Sequence, residues 1–283
     1  MTFALSRTSG DPLQLTQEHE LLVQPRRGGE VTWSLDGVTL TPAERTRGLD
    51  AWVGRATTEM HSLALFTQLA SQIHLLGAPL DWSGAFARVI ADEVRHTDLS
   101  LRMSALLGGP HTVTFDERTF HLPVGGSLRA HVRHTIIEAF CIGETLSGRM
   151  YRHALKAATV PVAKKAVTAI LVDETFHAEF GWEVGALLMR PHEGFEAERG
   201  ELARHLPGMF QSFARQSCVT RGPEWTAAQP MVESGENLGS LTDEGYAQCF
   251  YAGMEADVVP GLEAIGFPEA RGAWQAFLAA HPG

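Results

Sequence analysis

Residues 91–96 read ADEVRH and residues 172–177 read VDETFH. Both stretches carry Asp-Glu, two further residues and a histidine. Residues three apart share one face of a helix, so Glu93 points with His96 and Glu174 with His177. A carboxylate beside an imidazole is a donor pair for a divalent transition metal. The first pair shares its face with Phe86, Val89 and Ile90, and the second with Val167, Ile170, Leu171 and Ala178. Both faces are otherwise apolar, so both pairs are expected to point into a core. Buried acids and histidines are costly there unless something compensates them.

Such motifs need long helices to position them. Thr41-Pro42-Ala43-Glu44 combines an N-cap, a proline suited to the first helical position and a glutamate that completes a capping box. A helix is expected from there to about Leu76, stopped by Gly77-Ala78-Pro79. A second begins near Asp81 and ends at Gly108-Gly109. Ser127 caps a third that runs to about Ala158, and a turn containing Pro161 leads into a fourth that ends near Met189. Short turns join the first helix to the second and the third to the fourth. The longer 108–126 connection, with alternation suited to a hairpin, joins the two pairs. The outline is an all-α four-helix bundle with one long crossover.

Residues 41–190 form that bundle in this scheme. Residues 1–40 are an irregular extension with a small hairpin over EVTWSLDGVTL, whose Asp-Gly is a turn signal. Residues 191–283 are a helical extension packed on the bundle: a helix interrupted at Pro207, a loop over 222–241 and two closing helices.

The first helix of each hairpin should supply one more carboxylate. Glu59 shares its face with Trp52, Ala56, Leu63 and Phe66. In the second hairpin Glu138 and Glu144 compete. Glu144 shares its face with Ile137, Phe140, Cys141, Gly148 and Tyr151, whereas Glu138 lies with His131, His134, Thr145 and Arg149, which reads as solvated. Glu144 and Glu174 are also equidistant from a turn centred near residue 159. Glu144 is therefore chosen, with Glu138 as the alternative.

Four glutamates and two histidines make the inventory of a dinuclear metal site: Glu59, Glu93, His96, Glu144, Glu174 and His177. Four buried carboxylates resist joint ionisation, and two divalent cations neutralise them. Asp92 and Asp173 hold matching places in the repeat. Pseudo-symmetry would set Asp173 on the far ring nitrogen of His96 and Asp92 on that of His177, fixing their tautomers. Tyr151 and Cys141 read as core residues, although a redox role for Tyr151 is conceivable. His61, His74, His131, His134 and His153 show no partner pattern and read as surface or loosely packed residues.

The pattern Glu59, Glu93-x-x-His96, Glu144, Glu174-x-x-His177 resembles the ferritin-like di-iron carboxylate superfamily over roughly residues 42–190. The resemblance implies a ferritin-like fold and two iron ions, or a manganese–iron pair, that react with dioxygen. Members include ribonucleotide reductase small subunits, monooxygenases, acyl desaturases, amine N-oxygenases, tRNA hydroxylases and ferritins, so the superfamily sets the cofactor better than the substrate. The arylamine N-oxygenases carry an extra histidine four residues before the last motif glutamate; here that position is Ile170. The implied activity is an oxygenase or oxidase that hydroxylates, N-oxygenates or dehydrogenates a small organic substrate, with an electron-donor protein or reductant as a further partner. A ferroxidase and a helical binding protein with a structural metal are the alternatives.

Bulk properties narrow the partners. The net charge of −10 disfavours nucleic acid and anionic membranes. The three cysteines, Cys141, Cys218 and Cys249, form no CxxC and suggest neither a disulfide framework nor a thiolate zinc site. Neither a signal peptide nor a membrane span is evident, so a cytoplasmic protein is expected, with a homodimer compatible. HExxH, GxSxG, a P-loop and a strand-to-helix GxGxxG are all missing from the sequence.

Overall fold

The computed structural model describes residues 2–5, 21–24, 30–116, 127–191 and 195–281. The described chain is predominantly helical, as expected of an all-α protein. Its elements are β1 (Thr2–Leu5), α1 (Pro42–Leu75), α2 (Leu80–Leu106), β2 (Val113–Asp116), α3 (Leu128–Thr135), a π-helical segment (Ile136–Glu144), α4 (Thr145–Ala157), α5 (Pro161–Leu188), α6 (Phe195–Gln216), α7 (Pro223–Ala227), α8 (Asp243–Gly253), a second π segment (Met254–Val258), α9 (Val259–Ala264) and α10 (Ala270–Ala280). No helix among the described residues is long and apolar enough to cross a membrane.

Contacts divide the chain into two compact units. The first comprises the described residues of 1–124, 157–173 and 235–240, and the second those of 125–156, 174–234 and 241–283. The boundary passes through α5, between Asp173 and Glu174.

In the first unit, α1 and α2 pack along one another, joined by the short turn at 76–79. The capping box at the start of α1 forms: Thr41 Oγ1 accepts from the Glu44 amide, and Glu44 reaches back to the Thr41 amide at 2.7 Å. Gly77 adopts φ +76° just past the helix end, where only glycine does so without strain. Trp52, Ala56, Phe66, Leu69, Ile73, Phe86 and Val89 are fully buried. Their spacing along α1 and α2 is the helical spacing of the sequence pattern. The 235–240 loop closes over α1. Trp52 Nε1 donates to the Leu238 carbonyl at 2.9 Å, and a side chain at Gly48 would collide with Leu238.

One expectation fails locally. Residues 30–40 form no strand; the Asp36-Gly37 turn forms, but its flanks do not pair. Strand β2 instead pairs antiparallel with β1, Thr2 opposite Asp116 and Leu5 opposite Val113. Pairing partners are a long-range choice that local alternation does not encode. The other strand of the hairpin expected in 108–126 lies outside the described residues.

In the second unit, α3, the π segment and α4 run continuously from the Ser127 cap, whose hydroxyl accepts from the Ala130 amide. The C-terminal half of α5 packs on this helix through small residues. A Cβ at Gly181 would lie 2.5 Å from Phe140 Cβ, and one at Gly185 would lie 2.9 Å from Cys141 Sγ. Helix α6 runs through Pro207 rather than breaking there. That proline is exposed, so the carbonyl it frees can bond water. The closing helices build an aromatic core of Phe210, Phe250, Tyr251, Trp274 and Phe277, with Trp274 and Phe277 stacked at 5.2 Å.

Candidate metal centre

Each unit holds one buried group of metal-capable donors. In the first, α1 supplies Glu59 and α2 supplies Glu93 and His96; one ligand atom from each lies within 4.8 Å of the others. In the second, the π segment supplies Glu144 and α5 supplies Glu174 and His177, with the same closeness. All six side chains are buried. Each triad is a Glu/His cluster that could hold a metal ion, compatible with a ferritin-like site.

The triads are alike in detail. His96 Nδ1 lies 3.4 Å from Glu59 Oε2, and His177 Nδ1 lies 3.3 Å from Glu144 Oε2. These distances are long for hydrogen bonds to a charged group. They suit two donors on one ion, which sit about 3 Å apart when each lies about 2.1 Å from the metal. Two carboxylates and an imidazole are a donor set that iron or manganese accepts.

Electrostatics in the first triad favour positive charge. Burial opposes protonation of His96, but the close carboxylates of Asp173 and Glu59 outweigh it and raise its pKa to about 9. The imidazolium is in effect a cation held where a metal would go, and a bound metal would displace its proton.

Asp173 Oδ2 lies 3.4 Å from His96 Nε2. Asp92 is held by Arg95 and lies 3.6 Å from Arg88 Nε. Arg95 is the residue that the sequence pattern did not single out. It is buried, and its Nη1 donates to Asp92 at 2.8 Å and to Asp173 at 2.6 Å. Its Nε donates to the Gln24 carbonyl at 3.0 Å. The available signal was an arginine next to a histidine on an inward face. In the second motif the same place holds Phe176, whose ring stacks on Phe180. The repeat is therefore symmetric in its metal-capable residues and asymmetric in what surrounds them.

The π segment sets the two glutamates of the third long helix in different surroundings. Its wider turn ends at Glu144, which faces His177. Such turns re-aim side chains and recur at functional sites. Glu138, in the first turn of the segment, is more than a third exposed and lies 3.5 Å from His134 Nδ1. The face assigned to Glu138 also changes: Thr145 is buried and accepts from Trp182 Nε1 at 3.0 Å. Tyr151 is buried. Cys141 Sγ meets the Gly181 carbonyl at 3.4 Å, and burial pushes its thiol well above the usual range, as befits an inert core cysteine.

No family model matches the chain, and comparison with curated proteins and with solved structures finds no match.

Proposed function

We propose that the two triads together hold a pair of iron ions, or a manganese–iron pair, in a ferritin-like four-helix bundle, and that the protein is a di-iron oxygenase or oxidase. The observation that carries this proposal is the matched pair of buried triads, each with a histidine Nδ1 set against a glutamate from the preceding helix. Asp173, which faces His96, and Glu174, of the other triad, are consecutive residues of α5. In this scheme Glu59, Glu93 and His96 would hold one ion, and Glu144, Glu174 and His177 the other.

The metal pair would supply electrons to dioxygen, and a small organic substrate would be hydroxylated, N-oxygenated or dehydrogenated. The chain's own residues set the conditions. Asp173 fixes the far nitrogen of His96, and Arg95 fixes Asp173. Phe140, Phe180 and Phe176 form a chain of ring contacts that reaches His177 and would give the second triad an apolar flank against water. An electron-donor protein or small reductant would be the further partner.

The test is anaerobic Fe(II) loading of the whole protein, a count of tightly bound iron, then an oxygen pulse followed in the visible. About two irons per chain and a transient absorbing species are expected. Glu144→Ala should lose one iron and Glu138→Ala none. Negligible bound iron overturns the proposal. Repeated iron turnover without a substrate requirement points to a ferroxidase instead, and redox-silent metal points to a structural site.

A further inference from the structure

A pocket of about 580 Å³ opens in the second unit at the C-terminal end of α5. Three arginines line it: Arg129 and Arg133 from α3, and Arg190 from just past α5. Among the described residues its acidic lining is Glu198 of α6. Three arginines less one glutamate leave the lining a charge of +2, in a chain whose net charge is −10. Leu187 and Leu188 add an apolar wall. Arg133 is buried and held on three sides. Its Nε donates to the Leu188 carbonyl at 2.9 Å, its Nη1 donates to Glu198, and its guanidinium lies 6.0 Å from the centre of the Phe195 ring. Arg129 and Arg190 are exposed, and neither makes an ion pair among the described residues.

The cations oppose one another. Arg129 and Arg133 are four residues apart on α3, a spacing at which like charges destabilise a helix. Arg129 also lies in the first turn of α3, the end at which a helix favours negative charge. Burial, opposed by Glu198 and aided by the charge of Arg129, holds Arg133 below the usual arginine range. A bound anion would relieve each of these costs. We propose that this pocket binds a small organic phosphate monoester, its phosphate on Arg129 and Arg190 beside Arg133 and its organic part against Leu187 and Leu188. Charge selects the class. A phosphate monoester carries about −1.5 to −2 at pH 7, which matches the lining, whereas a monocarboxylate leaves part of it uncompensated. Guanidinium forks also match the oxygens of a phosphate. The volume suits a small molecule, whose sites span about 300–1,000 Å³. The pocket is separate from the metal centre. Leu188 is eleven residues beyond His177 on α5, about 16 Å at the helical rise.

Hexyl phosphate is the probe, titrated calorimetrically into the whole protein, with hexanoate and inorganic phosphate as comparisons. Hexyl phosphate should bind about tenfold tighter than hexanoate, which shares its tail but carries a single charge, and tighter than inorganic phosphate, which lacks the tail. Arg129→Gln and Arg190→Gln should each weaken it about tenfold, the loss of one charge-assisted hydrogen bond. Added salt should weaken it in the wild type. Phosphate that reaches a metal does so equally in wild type and variants, so the difference between them reads the pocket alone, and its failure is distinct from that of the di-iron proposal. Both arginines are exposed, so their replacement is not expected to unfold the chain, and far-UV circular dichroism checks this. Hexyl phosphate that does not bind, or that binds wild type and both folded variants alike, overturns the proposal. Hexanoate binding as tightly as hexyl phosphate also overturns it, and would make the pocket a carboxylate site.

Discussion

Arg95 is where a single side chain matters most outside the six metal-capable residues. One buried guanidinium joins Asp92 and Asp173 and reaches the backbone at Gln24. Arg95→Met would remove the buried guanidinium that Asp92 and Asp173 share. Breaking a buried ion pair from one side costs about 3–5 kcal/mol, against about 0–1 kcal/mol for an exposed pair. Urea unfolding of the metal-free protein measures this, and a loss in the exposed range would show that Arg95 is no clamp. His96 gives a pH dependence. Its pKa is raised from 6.5 to about 9 in the fold, so its contribution to metal-free stability is complete below pH 6.5 and is lost as pH rises through 9. Metal must displace that proton. Mn(II) affinity should therefore rise by up to about tenfold per pH unit through this window. Titrations at two pH values within it check the slope, and a flat profile would mean that His96 is not a ligand.

At the scale of elements, the contact between α5 and the π segment is the tightest feature near the second triad. Gly181 exists there because a Cβ would meet Phe140 at 2.5 Å and its backbone at 3.1 Å. Gly181→Ala forces the two helices apart, and overpacking of this kind costs about 1–3 kcal/mol. Phe140 and Glu144 share the π segment, so the same change should also weaken metal binding at the second triad while sparing the first. Thermal unfolding and a metal count together read both effects. A variant that loses stability but keeps every ion would show that the segment's packing and its ligand are independent. The segment's existence was not legible in the sequence. Residues 128–157 read as one uninterrupted helix, because the inserted turn is set by what packs against it rather than by local propensity.

For the whole molecule, metal should act as a folding ligand. An ion that binds only the folded chain stabilises it by about 2.7 kcal/mol at a hundred times its dissociation constant. Removing metal with a chelator should therefore lower the midpoint of thermal unfolding, and restoring Mn(II) or Fe(II) should raise it again. The shift should depend on metal concentration. A midpoint indifferent to metal would count against both triads.

The sequence by itself determined the helical frame and the metal-capable residues. Helix ends were legible because caps, prolines and glycines act within a few residues, as Thr41, Glu44, Gly77 and Ser127 do. The inward placement of Glu59, Glu93, His96, Glu174 and His177 was legible because helical period fixes which residues share a face. Glu144 was preferred over Glu138 by its apolar neighbours, and the structure sets it against His177. Only tertiary structure decided the rest. It paired β1 with β2, carried α6 through Pro207, wound the π segment, set Arg95 between two aspartates and brought Glu198 to Arg133. Each depends on groups far apart in the chain, which meet only when burial chooses among arrangements that local propensity leaves equal.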